Sequence, residues 1–205
     1  MIVDEDEGDV SAAAFLAYSH LGIGMSTSEG FQTINSSGHG TINVLTCILT
    51  ALCDGTLLNL KNLYLSNNRI SNDAMIMFSD SIVARGRLSK LECLFLDCNR
   101  IGDSGMSAFL ESLQCNEGRT AKLLKLNLSQ NDVGDHGMRA LSEAIRTESF
   151  ETLVILDLNE NIIGDDGVRS SHLLFPVYIL HTWNICILMK TKSATMAGMP
   201  SDAQS

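Results

Sequence analysis

Histidine, cysteine and aspartate are the residue types in this chain that could bind a metal or perform catalysis. The chain has five histidines: His20, His39, His136, His172 and His181. None of them has a partner at a spacing typical of metal ligands or of a catalytic pair. Of the six cysteines, only Cys47 with Cys53 and Cys93 with Cys98 form close pairs, and neither is matched by a second cluster of His or Cys. We therefore expect free thiols that pack as small core residues, no bound metal and no cofactor.

Aspartate recurs in turns of sequence Gly-Asp-x-Gly, at Asp103, Asp135 and Asp165, and such a row could be taken for catalytic groups. The first two stand just ahead of amphipathic segments, where a carboxylate can accept hydrogen bonds from free backbone N–H groups at a helix start. We interpret all three as helix caps. Gly22 and Gly24 lack the preceding strand, third glycine and following helix of a dinucleotide-binding motif. With no nucleophile or phosphate-loop motif either, the sequence predicts a protein that is not an enzyme.

The elements that position these residues are predicted by an internal repeat, Leu-x-x-Leu-x-Leu-x-x-Asn, which occurs four times. The closing asparagines, 31, 32 and 30 residues apart, are Asn68, Asn99, Asn131 and Asn161. Leucines two apart lie on one side of a strand, and a buried asparagine at the following turn can satisfy backbone groups of its own and the adjacent repeat. We therefore predict an asparagine ladder, strands near 63–65, 94–96, 126–128 and 156–158, and helices near 73–84, 104–115 and 136–147.

These repeats resemble the leucine-rich repeats of the ribonuclease-inhibitor type, in which each repeat has a full helix. The same type occurs in Ran GTPase-activating protein and in the repeat regions of NACHT-type immune receptors. The resemblance covers residues 56–169. It implies an α/β solenoid with parallel strands on the concave face and helices on the convex face. It also admits two alternative functions, a GTPase-activating regulator and a fragment of an immune-type sensor.

Three regions follow from the extent of the repeats. Residues 1–40 are acidic and rich in Ser and Gly, and we expect them to be irregular. Residues 41–169 form the array, with a leading cap helix at 41–53 and repeats that start near 60, 91, 123 and 153. Residues 170–205 depart from the repeat, and positions 170–189 contain no Asp, Glu, Lys or Arg. This apolar stretch is consistent with a cap over the last repeat, a membrane anchor or a misread gene end, and we favour the cap.

The net charge of the chain limits the classes of molecule that it is expected to bind. Lys and Arg number 14 against 24 Asp and Glu, and the resulting net charge of −10 argues against nucleic acid. Five of the acidic residues lie within the first nine positions, which we interpret as a solvated tail. The chain starts without the basic and apolar regions of a secretory signal, so we expect a cytoplasmic protein.

The candidate binding residues are those that lie between the leucines and point outward from the concave face. The central column is Tyr64, Phe95, Asn127 and Asp157, and Asp97 and Glu160 lie beside it. We predict a non-enzymatic scaffold that binds another protein there, with the two aromatic residues as anchors and the acidic residues favouring a basic partner surface. The alternative is that the two aromatic rings only stack on and shield each other.

Overall fold

Seven short strands form one sheet in the described part of the chain. The computed structural model describes residues 24–25, 33–35, 37, 48, 59–85, 89–114, 122–147, 150, 152–174 and 186–188. In sheet order, which is also chain order, the strands are β1 (Gly24–Met25), β2 (Thr33–Asn35), β3 (Asn62–Tyr64), β4 (Cys93–Phe95), β5 (Lys125–Asn127), β6 (Ile155–Asp157) and β7 (Cys186–Leu188). Strands β3 to β6 are followed by the helices α1 (Asn72–Arg85), α2 (Asp103–Gln114), α3 (Asp135–Arg146) and α4 (Asp165–Leu174).

Parallel pairing joins five consecutive pairs of strands, from β2 to β7, and β1 pairs with β2 antiparallel. The strands are in register, so that Leu63, Leu94, Leu126 and Leu156 lie side by side. The predicted alternation of parallel strands and helices is confirmed. Each strand begins one residue earlier than predicted, and each of the three predicted helices also begins one residue earlier.

The core lies between the sheet and the helices. The repeated leucines are buried, and the helices supply apolar side chains at helical spacing to the same cluster, such as Met106, Phe109 and Leu110 in α2. Burial of each such side chain contributes about 1.5 to 3 kcal/mol. The array is therefore an α/β fold of the leucine-rich-repeat type, whose stability comes from contacts between neighbouring repeats.

The expectation of an irregular region before residue 41 is wrong at β1 and β2. Ile34 is fully buried in the core and aligns with Leu63. This repeat does not match the sequence pattern, because Ser36 and His39 occupy the positions of the third leucine and the asparagine in the other repeats. Within the predicted leading helix 41–53, Ile48 is helical and buried, and the rest lies outside the described residues.

The expected end of the repeats at Arg169 is also wrong. Helix α4 runs on to Leu174, and β7 pairs with β6 in the same parallel register, which extends the described array from Thr33 to Leu188. The remaining positions of the apolar stretch, 175–185 and 189, lie outside the described residues. Among the helices that are described, none is both long and apolar enough to cross a membrane.

A buried asparagine ladder joins the turns after the strands. The Asn99 side-chain nitrogen donates to the backbone oxygen of Leu96 in its own repeat (2.9 Å) and to that of Leu65 in the preceding one (3.0 Å). Its side-chain oxygen accepts hydrogen bonds from the backbone N–H groups of Asn68 and Ile70. Two further bonds continue the ladder between repeats: Asn131 Nδ2 to the Leu96 oxygen at 2.9 Å, and Asn161 Nδ2 to the Leu128 oxygen at 2.8 Å.

A second ladder joins the starts of the helices. The Asp103 carboxylate, at the start of α2, accepts hydrogen bonds from the backbone N–H groups of Gly134 (2.7 Å) and Gly137 (2.8 Å), at the start of α3. The N-cap residue of helix α3 is Gly134, which has no side chain with which to cap the helix. Asp103 is therefore a helix cap, as interpreted from the sequence, but its bonds run to the helix of the next repeat. Asn72 and Asp135 make the equivalent bonds: to Gly102 and Gly105, and to Gly164.

The second ladder explains the last glycine of each Gly-Asp-x-Gly turn. A Cβ added at Gly137 would lie 2.8 Å from Asp103 Oδ1, and one at Gly167 would lie 2.5 Å from Asp135 Oδ1. Both distances are shorter than van der Waals contact, so only glycine lets the neighbouring carboxylate approach the helix backbone. Asp165 is exposed, and no later helix for it to cap lies within the described residues.

Replacing Asn99 by Ala is expected to lower the free energy of unfolding by about 1 to 3 kcal/mol, because buried backbone groups lose their partners. Chemical denaturation measures the change through the midpoint at constant slope. The control is Glu111→Ala at an exposed position of α2, which should change stability by less than about 0.5 kcal/mol. An Asn99→Ala midpoint equal to that of the unmodified chain would contradict the role given to this amide.

Replacing Asp103 by Ala is expected to cost about 1 kcal/mol, because the start of α3 loses its acceptor. Asp103→Asn keeps an acceptor oxygen in place, as Asn72 does one repeat earlier, and should retain most of the stability. Amide hydrogen exchange at Gly134 and Gly137 reports the bond directly. Loss of protection at the start of α2 instead would mean that Asp103 caps its own helix.

Candidate functional site

The side of the sheet opposite the helices carries the predicted binding residues, and we call it the open face. In each strand the central residue is buried in the core, so the residues on either side of it point to the open face. One column on this face is Tyr64, Phe95, Asn127 and Asp157, all half-buried. The structure thus brings the four residues of the predicted central column into one row across four neighbouring strands.

Tyr64 and Phe95 lie next to each other in the row and stack. Their ring centroids are 4.8 Å apart and their planes are inclined by 22°. Both rings stay half-buried, so each keeps a solvent-accessible side while the contact with its neighbour holds it in place. A stacked pair of this kind offers a rigid apolar surface, because the strand register and the ring contact together fix both side chains.

Asn127 and Asp157 are bound to the turns that follow their own strands. Asn127 Oδ1 accepts hydrogen bonds from the backbone N–H of Ser129 (2.9 Å) and from its hydroxyl (2.8 Å). Asp157 Oδ1 accepts one from the backbone N–H of Asn159 (3.0 Å). These bonds orient both side chains, and the second carboxylate oxygen of Asp157 retains its capacity to accept from another donor.

Asp97 and Glu160 lie at the carboxyl-terminal end of the strands. Asp97 is half-buried, and its Oδ1 accepts a hydrogen bond of 2.7 Å from the Ser66 hydroxyl in the preceding repeat. Glu160 is exposed and has a φ of 56°. The residue just before each ladder asparagine adopts this left-handed conformation in all four repeats: Asn67, Cys98, Gln130 and Glu160. The acidic side chains therefore lie at one end of the open face in fixed turns.

A second column of the open face was missed from the sequence: Asn62, Cys93, Lys125 and Ile155, the first residue of each of the four strands. The signal was available, because residues two positions before the aromatic column point to the same side of a strand. Cys93 and Cys98 are half-buried, so the expectation that the cysteines pack in the core is wrong for these two.

Apolar residues are exposed at the amino-terminal end of the strands. Leu124 and Val154 precede β5 and β6, are 37% and 41% exposed, and lie on adjacent strands joined by a hydrogen bond from the Val154 N–H to the Leu124 oxygen. Across residues 59–85, 89–114, 122–147 and 152–174, and the shorter described pieces, no group of three or more His, Cys, Asp or Glu could hold a metal ion.

The open face as described consists of aromatic, polar and charged side chains on a sheet.

Both thiols on this face have a raised pKa. Burial raises the pKa of Cys98 most, and the negative charge of Asp97, its hydrogen bond and the charge of Glu160 raise it further. Burial also raises the pKa of Cys93, while the nearby charge of Lys125 opposes that change. Because the thiolate is the nucleophile, both groups should be less reactive at neutral pH than an ordinary cysteine.

The alkylation rate of Cys98 is expected to rise only at a higher pH than that of an unperturbed thiol. Asp97→Asn removes a negative charge and should move the rate profile to lower pH, since the thiolate is then less disfavoured. Peptide mapping by mass spectrometry after alkylation over a pH series resolves this residue. Asp132→Asn, at an exposed position, is the control. A profile that Asp97→Asn leaves in place would contradict the assigned electrostatic contact.

Comparison with known protein families finds a match to the repeats. The family model described as a leucine-rich repeat matches residues 87–110, 121–142 and 151–170. Each match contains one strand and the first part of the helix that follows it. The copy with Asn72 and Ala74 in place of Asp and Gly lies outside the matches. A search of curated proteins finds no match. The described array therefore contains three leucine-rich repeats, in agreement with its α/β architecture.

Proposed function

We propose that this chain is a non-enzymatic scaffold that binds another protein on the open face of its sheet. Leucine-rich repeats are generally protein-interaction modules, and three segments of this chain match that family. The observation that carries the proposal is the stacked pair of Tyr64 and Phe95, held half-buried at the centre of the face. We include a ribonuclease-inhibitor-like repeat type and a cytoplasmic location in the proposal.

Rigid aromatic side chains are effective anchors at protein interfaces. Tyr and Trp are enriched among the residues that contribute most to binding, and fixed rings lose little conformational entropy when a partner docks. Tyr64 also carries a hydroxyl group that can donate or accept a hydrogen bond. The pair therefore supplies both apolar area and one polar contact, while strand pairing prevents the rings from moving apart.

Electrostatics indicate the kind of partner surface. Asp97 lies two residues after Phe95, and Asp157 and Glu160 add negative charge two strands away. Complementary charge increases the rate of association and selects orientation. Asp97 and Asp157 are oriented by hydrogen bonds within the array, so a basic partner would meet carboxylates already in position. We infer that the partner presents an apolar group beside Lys or Arg side chains.

The double variant Tyr64→Ala, Phe95→Ala should weaken partner binding by about 2 kcal/mol, close to thirtyfold in Kd. The partner recovered with the unmodified chain would be identified by mass spectrometry and its affinity measured by calorimetry. Met77→Ala, which removes an exposed apolar side chain from α1, is the control and should leave the affinity unchanged.

A further variant separates binding from folding. Glu160→Lys changes an exposed side chain and should weaken a basic partner without changing the melting temperature. Equal affinities for the unmodified chain, the aromatic double variant and Glu160→Lys would show that the open face is not the binding surface.

A further inference from the structure

All four lysines of the described residues lie at the amino-terminal ends of three neighbouring strands. Lys61, Lys90 and Lys122 precede strands β3, β4 and β5, and Lys125 is the first residue of β5. We call these four residues the lysine edge. Lys90, Lys122 and Lys125 are exposed and Lys61 is half-buried. The edge lies at the opposite end of the strands from Asp97 and Glu160.

Strand pairing brings the backbones of the lysine edge close together. The backbone N–H of Glu92 donates to the Lys61 oxygen, and that of Leu124 donates to the Glu92 oxygen, both at 2.8 Å. Neighbouring strands are about 4.8 Å apart, so the three strands that carry the lysines span only about 10 Å. Glu92 is the acidic residue among them, which leaves a net charge of about +3 where the whole chain carries −10.

The lysine edge has no acidic partner within the described residues. The ion pairs found there are Arg146 with Glu143 and Arg169 with Asp166, both on helices. Lys90 Nζ donates to an uncharged acceptor, the side-chain oxygen of Asn59, at 2.6 Å. Within the described residues the lysine edge is therefore a positive surface without an ion-pair partner, and it is complementary to an anionic peptide.

We propose that the lysine edge binds the acidic segment of this same chain, residues 4–9. That segment contains five carboxylates, Asp4, Glu5, Asp6, Glu7 and Asp9, within six positions. Several carboxylates facing several ammonium groups give a multivalent attraction that a single exposed ion pair does not. The proposal is independent of which partner binds the aromatic pair.

The length of the intervening chain fits this occupant. Fourteen residues lie between Asp9 and Gly24, the first residue of β1. A flexible segment of that length has a root-mean-square span of about 21 Å. Gly24 lies in the row of Asn127, so Lys125 is four strand spacings and two residues away, at about 20 Å. A tether that matches its span gives an effective concentration in the millimolar range, so an affinity of about 1 mM is sufficient for half occupancy.

Zero-length carbodiimide crosslinking of the full chain tests the proposal, because it joins carboxylates to amines that are in contact. At low ionic strength, peptide mapping of the monomer should find residues 4–9 joined to Lys90, Lys122 or Lys125. Lys190 and Lys192 are internal controls and should react far less. In 1 M salt the yield should fall about tenfold, since the screening length shortens to about 3 Å.

Charge-reversed variants make the test specific. Lys122→Glu with Lys125→Glu should abolish the crosslinks, whereas Arg139→Glu with Arg169→Glu makes the same change of net charge on exposed helix positions and should retain them. Changing the five carboxylate residues of the acidic segment to Lys in the Lys122→Glu, Lys125→Glu background should restore crosslinks with reversed chemistry. Melting temperatures of all variants check that the fold is kept.

Three results would overturn the proposal. Crosslinks that spread evenly over the lysine edge, Lys190 and Lys192 would show a non-specific tail. Crosslinks found only between two chains would assign the edge to a second copy of the protein. A folded monomer without crosslinks at the lysine edge would show that the acidic segment does not bind there.

Discussion

The array depends on a constraint that no single repeat can satisfy: backbone groups buried at the strand turns need partners from the next repeat. The Asn99 amide bonds the Leu65 and Leu96 oxygens together with the Asn68 and Ile70 N–H groups, so it completes two repeats at once. A buried donor or acceptor without a partner costs about 1 to 3 kcal/mol. Removal of one asparagine therefore damages its own repeat and the preceding one, and neighbouring repeats should unfold together.

The bonds at the helix starts fix the same stacking from the opposite side of the core. Asn99 ties the strand turns together while Asp103 ties α2 to α3, so each repeat is held to the next at two separated points. Gly137 makes the second contact possible by admitting the carboxylate. With both points fixed, a repeat cannot shift in register, and Tyr64 and Phe95 are kept beside each other without any direct bond between the rings.

The sequence predicted the four complete repeats because the same residue type fills the same role in each of them. It failed at the two ends for a physical reason: strands β2 and β7 keep the register through backbone hydrogen bonds, which any residue can make, while Ser36 and Lys192 replace the side chains that mark a repeat. The destination of the Asp103 bond could not be predicted either, because capping its own helix or the next one places an aspartate at the same position. Of the site, the aromatic row followed from spacing alone, whereas the lysine edge required knowledge of which strands are neighbours.

The lysine edge and the acidic residues Asp97 and Glu160 lie at opposite ends of the strands and act independently of each other. About seven residues of extended chain, roughly 20 Å, separate Lys122 from the acidic turn residues, while the screening length at physiological salt is about 8 Å. An acidic segment bound at the lysine edge therefore leaves the field of Asp97 and Glu160 largely unchanged. An effect of the bound segment on a partner at the aromatic pair would therefore be steric and not electrostatic.

A steric effect of this kind has a calculable consequence for binding at Tyr64 and Phe95. If the acidic segment blocks the aromatic pair whenever it is bound, half occupancy raises the apparent Kd of the partner only about twofold. Strong inhibition would need an affinity for the segment about a hundred times tighter than the effective concentration of the tether. Because linkage is reciprocal, a partner that displaces the segment exposes the lysine edge by the same factor. Charges of this number therefore favour a weak, salt-sensitive competition that tunes affinity and leaves binding possible in either state.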